Sequence, residues 1–152
     1  MYKRQTLYKD VFLFHWKEES QHAIVDELEW VREDAKLTAD ARDAAVDDLI
    51  ALVGGVDGIL QAQAKSDTAY FLDVTGMPND GVRASEVHDT VLKAYRWQYI
   101  VSGLMEPRFQ KILQGLISQA QMTRIVTALA PLTYATPAVK EKAAAEKDMA
   151  LI

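Results

Sequence analysis

The chain has 152 residues, 49% hydrophobic and 26% charged, and carries a net charge of −5. An acidic chain of ordinary globular composition, without a basic cluster, is not expected to bind nucleic acid or an anionic membrane as its main partner. It has no cysteine, no apolar run long enough to span a membrane and no signal peptide, which excludes disulfides and Cys-ligated metal sites and predicts a cytoplasmic protein.

The first five residues, MYKRQ, are unrelated to the pattern that follows them. They match the translation of the end of a transposase sequencing adapter, GTG TAT AAG AGA CAG, read from a GTG start. We therefore expect Met1–Gln5 to be an assembly artefact and the natural protein to continue upstream of Thr6. The alternative is a genuine short N-terminus.

One all-helical domain is predicted over residues 6–132. Residues 6–35 form a long first helix, because helix-forming residues run without Gly or Pro and apolar residues recur at three- and four-residue steps. Its segment VFLFHW, residues 11–16, is apolar in every direction except at His15. A helix that is apolar on all sides is normally buried, so burial is predicted here.

A second helix is predicted from an N-cap at Thr38 to about residue 70. Gly54, Gly55 and Gly58 interrupt it, and they indicate a kink or a close helix crossing rather than a phosphate-binding loop, since no strand precedes them. The apolar residues expected to point largely inward are Leu49, Ile50, Leu52, Val53, Val56, Ile59 and Leu60.

The segment TGMPNDG, residues 75–81, is the clearest predicted loop. A third helix follows over about 84–106 and is ended by Pro107.

Two shorter helices are predicted near the C-terminal end, over about 108–116 and 119–130. Ser118 and Gln121 form a capping-box pattern at the start of the second. Residues 133–152 are a low-complexity tail, either a surface helix or a frayed or disordered segment.

The candidate site lies on the first helix. At about 100° per residue, His15, Glu19, His22 and Asp26 fall at roughly 0, 40, 340 and 20° around the axis, so four potential metal ligands share one face. A solvated polar stripe is one alternative, and core histidines bonded to a neighbouring helix are another. A buried His or Glu must be paired, neutralised or metal-bound, which favours a metal site in a buried helix.

The Glu-x-x-His pair Glu19 and His22 resembles the ferritin-like di-iron carboxylate proteins, and the added His15 resembles their p-aminobenzoate N-oxygenase branch. The resemblance covers about one helix. It implies an all-α, partial ferritin-like bundle with a C-terminal helical extension. It also implies two iron ions, with manganese as the other candidate, and oxidation of a small organic substrate such as an aryl amine by O2. Glu19 would bridge or chelate, and His15 and His22 would be terminal ligands.

The chain departs from this family in one respect: it has no second Glu-x-x-His. A complete site needs roughly six or seven ligand side chains. The di-iron interpretation is therefore wrong, or the remaining ligands lie on missing helices upstream. Loss of those helices would expose the apolar face of residues 7–31 and favour self-association, for example as a homodimer.

Two other functions remain open at this point. One is an iron-binding or ferroxidase-type protein without organic chemistry. The other is a non-catalytic helical interaction domain in which the polar residues of the first helix form a buried network.

A second group of polar residues recurs on one face of the third helix: His88, Tyr95, Tyr99 and Glu106. A tyrosine there would hydrogen-bond a ligand carboxylate, or these residues would simply belong to the core. Arg96 either holds an anionic substrate or pairs with the acidic second helix, and the pairing is favoured.

Overall fold

A computed structural model describes the backbone of residues 2–137 and the side chains of residues 7–137, and all regular structure within them is helical. This confirms the all-α prediction. Residues 138–152 of the predicted tail lie outside the described part. The elements are α1 (Tyr2–Asp34), α2 (Ala39–Thr75), α3 (Gly81–Arg96), a π-helical turn (Trp97–Val101), α4 (Ser102–Leu104), α5 (Pro107–Leu116), α6 (Gln119–Leu129) and a 3₁₀ turn (Ala130–Ala135).

The chain divides into two compact units, residues 1–42 and 43–152, a division that the sequence pattern did not indicate. In the first unit, α1 ends beside the start of α2. The Arg42 guanidinium donates to both carboxylate oxygens of Asp34, at 2.7 and 2.9 Å. Thr38 caps α2 as predicted, because its Oγ1 accepts a hydrogen bond from the Ala41 N–H at 3.2 Å.

A stripe of buried side chains along α2 organises the second unit. Its members recur at steps of seven and then four residues, which places them on one face of the helix. They are Val46, Val53, Leu60, Ala64, Thr68 and Leu72. Leu52 and Ile59, which were expected to point largely inward, are 63% and 69% exposed because they lie roughly 100° or more from Val53 around the axis.

The glycines of α2 do not mark a close helix crossing among the described residues, so that one of the two expected alternatives is wrong. The helix runs unbroken through Gly54, Gly55 and Gly58. A Cβ added at any of them would meet no described atom within 4 Å. All three are exposed, and their low helix propensity is tolerated within a helix that tertiary packing stabilises.

The main core of the second unit packs three later elements against α2. The middle of the α2 stripe forms one cluster with buried residues of these elements. The cluster consists of Val53, Leu60 and Ala64 of α2, Leu92 of α3, Ile100 and Val101 of the π-helical turn, and Leu132 and Ala135 of the 3₁₀ turn. The predicted third helix is therefore continuous only as far as Arg96, after which the backbone widens into the π-helical turn.

Polar contacts fasten the same elements at the edge of this core. The half-buried Arg96 of α3 donates to both carboxylate oxygens of Asp57 on α2, at 2.6 and 2.8 Å, and to the Tyr134 hydroxyl at 2.8 Å. The predicted pairing of Arg96 with α2 is thus confirmed. Hydrogen bonds from Arg96 hold the pKa of Asp57 below its ordinary value, with a further lowering contribution from Gln61.

A second contact of this kind joins α6 to α2. Arg124 donates to Asp43 at 2.9 Å and, together with Gln121, lowers the pKa of that carboxyl.

The predicted loops and caps of the second unit are confirmed. The loop after α2 begins at Gly76, and α3 follows it from Gly81. The φ angles of these two residues are 68° and 76°, a region that favours glycine. Ser118 and Gln121 form the predicted capping box, with the Gln121 side chain accepting from the Ser118 N–H at 2.8 Å.

We predict that Leu72→Ala lowers the free energy of unfolding by about 3 kcal/mol, because Leu72 is fully buried and its truncation leaves a cavity. Chemical denaturation measures this change. The control is Leu52→Ala in the same helix, which removes a 63% exposed side chain and should change stability by less than about 0.5 kcal/mol. Equal effects of the two substitutions would contradict the assigned face of α2.

We also predict that Asp57→Asn makes the free energy of unfolding depend less on acid pH. Because the folded-state pKa of Asp57 is lowered, its contribution is present above the ordinary carboxyl pKa of about 4 and is lost as the pH falls through the folded-state value. Asp57→Asn should cost about 2 kcal/mol at pH 7, and this difference should shrink below about pH 4. Denaturation curves between pH 2 and 7 measure it.

The matched control is Asp73→Asn, a change at an exposed position of the same helix. It should leave the pH dependence of stability unchanged. A difference in the free energy of unfolding between wild type and Asp57→Asn that stays constant across the pH range would contradict the role of the Arg96–Asp57 pair.

Candidate metal-binding face of helix α1

The structure places the three predicted ligands of α1 side by side. His15 Nε2 lies 3.8 Å from Glu19 Oε1, and His22 Nδ1 lies 3.6 Å from Glu19 Oε2. The spacing of four and then three residues along a helix produces this arrangement, because residues at those separations are surface neighbours. Each carboxylate oxygen of Glu19 therefore faces a different imidazole.

These separations are close to those between two donor atoms that bind the same metal ion. They exceed hydrogen-bond distances. Two donors that each lie about 2.1 Å from a shared ion are about 3.0–3.6 Å apart when the angle at the ion is about 90–120°. The Glu19–His22 separation of 3.6 Å falls at the upper end of that range, and the His15–Glu19 separation of 3.8 Å lies just above it.

The three side chains do not form a complete site by themselves. His15 and His22 are seven residues apart, which separates them by about 10 Å along the helix axis. Within the part of the chain that the structure describes, no three His, Cys, Asp or Glu side chains are arranged to hold a metal ion. Donors on one helix approach an ion from one side only, so a complete site would need ligands from other elements.

The face is also open to solvent. The side chains of His15, Glu19 and His22 are 63%, 56% and 58% exposed, and Asp26 is exposed further along the helix. Ions and additional ligand side chains can therefore reach all three predicted ligands. A solvated polar stripe has the same exposure, so the geometry is compatible with both.

The prediction that α1 is buried is wrong for this chain. Every side chain from residue 7 to 26 is exposed, including Phe12, Phe14 and Trp16 at 53%, 66% and 66%. Apolar residues drive a helix into a core only where other elements cover them. This stretch of α1 carries apolar side chains that remain uncovered, as expected for a helix that packs against partner helices.

The second group of polar residues, expected either to support a ligand carboxylate or to belong to the core, contacts several neighbours in the described part of the chain. Tyr95 donates a hydrogen bond to Asp67 of α2, and its ring meets the Tyr99 ring edge-on with centroids 6.1 Å apart. The His88 Nδ1 atom lies 3.2 Å from the Oδ1 atom of its neighbour Asp89.

Glu106, the fourth member of that group, caps α5 by accepting from the Phe109 N–H at 2.7 Å. The group thus consists of structural contacts, and the sequence did not identify Asp67 as the partner of Tyr95. The 28-residue separation of these two residues leaves no local signal of their pairing.

Comparison with known proteins adds no relative. No protein-family model, curated protein or solved structure matches the chain. Among residues 2–137, no helix combines the length and apolar character needed to cross a membrane.

We predict that the chain self-associates through α1 and that Phe14→Glu weakens this association at least tenfold. Phe14 is 66% exposed, and burial of a Phe side chain contributes about 1.5–3 kcal/mol. Sedimentation velocity over a range of concentrations measures the association. Gln21→Glu adds the same charge without removing apolar area and serves as the control. A wild-type chain that stays monomeric at every concentration would refute this prediction.

Proposed function

We propose that α1 supplies one side of an iron site in a di-iron oxidase or oxygenase that acts with O2 on a small organic substrate. His15, Glu19 and His22 are its metal ligands. The observation that carries the proposal is the position of Glu19, whose two carboxylate oxygens each lie within 4 Å of a different imidazole. The carboxylate can therefore bridge two ions or chelate one, with an imidazole as a terminal ligand.

The donor set supports iron, with manganese as the other candidate, because carboxylate with imidazole suits these metals. The chemistry that such a site supplies when loaded is activation of O2. The residues of this chain would contribute binding and orientation: Glu19 would supply the carboxylate between the two imidazoles, and the helix keeps all three donors on one face. The other ligands come, in this proposal, from helices that pack against the exposed α1.

The surroundings of the ligands favour an organic substrate over iron storage. Val11, Phe12 and Trp16 flank His15 on α1 and are 57%, 53% and 66% exposed. When partner helices cover them, these side chains would form an apolar wall beside the metal site. A ferroxidase-type protein would instead need an ion path lined with carboxylates.

An interaction domain without catalysis is the second candidate. The exposed apolar side chains of α1, among them Leu7, Val25 and Leu28 at 66%, 55% and 65%, favour it because they require a partner surface. A buried polar network is not supported by this chain, since the candidate ligands are more than half exposed. This candidate predicts partner binding that does not depend on metal.

Glu19→Ala tests the proposal directly. Titration of the full chain with Fe(II) under anaerobic conditions should show binding in the wild type and a loss of at least about tenfold in affinity in Glu19→Ala, because the central donor is removed. Circular dichroism should show unchanged helix content, since Ala favours helix.

The control is Glu18→Ala, which removes a neighbouring carboxylate at the edge of the ligand face and should bind Fe(II) like the wild type. Equal affinities of wild type and Glu19→Ala would overturn the proposed site. Equal losses in both variants would show that only general negative charge attracts the ion. Absence of Fe(II) binding to the wild type would also refute the proposal.

A further inference from the structure

A cavity of about 350 Å³ lies in the second unit, among the π-helical turn, α4, α5, α6 and the 3₁₀ turn. Its volume falls within the range of small-molecule sites. Leu113 of α5 and Ile125 of α6 are 6% and 4% exposed and give it a rigid floor, while Val126 at its mouth is 61% exposed. The cavity thus has a packed interior and an open entrance.

The lining of the cavity is mostly apolar, uncharged and adaptable. None of its described lining residues is charged. An ionic ligand would lose its hydration there without gaining a counter-charge, so a neutral ligand is favoured. Met105 and Met122 also line the cavity. Their unbranched thioether side chains adjust to irregular shapes and make favourable contacts with aromatic rings.

The polar groups of the lining indicate how a ligand would be oriented. The Thr133 hydroxyl donates to the Ala130 carbonyl at 2.8 Å, and the Thr136 hydroxyl donates to the Met105 sulfur at 3.8 Å. Both hydroxyl hydrogens are therefore committed to the protein. Gln110 and Gln114 also line the cavity, and the Gln110 amide donates to the Leu104 carbonyl at 3.0 Å. The side-chain oxygens of all four residues can accept a hydrogen bond, and the Gln114 amide can also donate one. A ligand with a hydroxyl or amine group, which donates and accepts, therefore suits this lining.

We propose that this cavity binds a small, neutral aromatic molecule that carries one hydroxyl or amine donor. The volume supports such an occupant better than a docked helix, which needs a groove long enough for anchors at i, i+3, i+4 and i+7. This inference rests only on residues of the second unit and is independent of the α1 metal site. Failure of one proposal does not affect the other.

Three naphthalene compounds with the same aromatic body test the chemistry. The probe is 2-naphthol, which has a hydroxyl donor. In 2-methoxynaphthalene the donor is methylated, and 2-naphthoate carries a negative charge. We expect 2-naphthol to bind, the methyl ether to bind about 5–10 times more weakly because one hydrogen bond is lost, and the carboxylate to bind at least about ten times more weakly.

Methionine methyl NMR of the full chain reports the location of binding. The resonances of Met105 and Met122 should shift on addition of 2-naphthol, because both residues line the cavity. Met77 does not line the cavity and should not move. Resonances of Met105 and Met122 that stay unchanged with all three compounds would overturn the proposal.

A pair of matched substitutions separates the cavity from general surface binding. Val126→Glu places a charge at the entrance and should weaken 2-naphthol binding at least tenfold, without removing a buried side chain. Val74→Glu introduces the same change at a 65% exposed position of α2 outside the cavity and should have no effect. Equal affinities of the two variants, or equal binding of all three compounds, would overturn the assignment.

Discussion

The buried stripe of α2 is the constraint on which the second unit depends. Val53, Leu60 and Ala64 form one core with residues of α3, the π-helical turn and the 3₁₀ turn, so these elements are held through their contacts with a single helix face. Asp57, at the edge of this stripe, joins α2 to Arg96 by two charge-assisted hydrogen bonds. Such bonds fix the register of helices that apolar packing alone specifies less sharply.

The first helix differs from α2 because its apolar side chains are not buried. It has as many large apolar side chains as a core helix, but from residue 7 to 26 every side chain is exposed. Isolated helices gain little stability from propensity alone. The same exposure leaves His15, Glu19 and His22 accessible. Further helices would cover the apolar surface of α1 and could complete the proposed metal site. A bundle around a metal site would satisfy the two needs together.

Most features that depend on local residues were predicted from the sequence, whereas most that depend on distant partners were not. The pairing of Arg96 with α2 is an exception, because the acidic composition of that helix indicated it. The Ser118 capping box and the loop between Gly76 and Gly81 follow from neighbouring side chains and from glycine's freedom at positive φ. The pairing of Tyr95 with Asp67 and the π-helical turn depend on how α2 and α3 pack, which periodicity does not reveal. The exposure of Phe14 depends on what covers α1, and its apolar neighbours in sequence say nothing of that.

The alignment of the candidate site was predictable, but its completion was not. Helical geometry alone places His15, Glu19 and His22 on one face, and the separations of 3.8 and 3.6 Å agree with it. Any further ligands of the proposed site would depend on tertiary or quaternary contacts, which the sequence of a single helix does not reveal. The cavity was likewise not predictable from the sequence, because its walls come from five separate elements.

Hydrogen–deuterium exchange of the full chain, measured with and without Fe(II), tests the central claim that α1 carries an iron-binding face. Amides of the α2 stripe, residues 46–72, should exchange slowly in both conditions because that helix is held by the core. Amides of residues 15–22 should exchange quickly in the free chain and at least several-fold more slowly with Fe(II), since an ion held across two helical turns opposes local opening. Identical exchange of residues 15–22 in the two conditions would contradict the account.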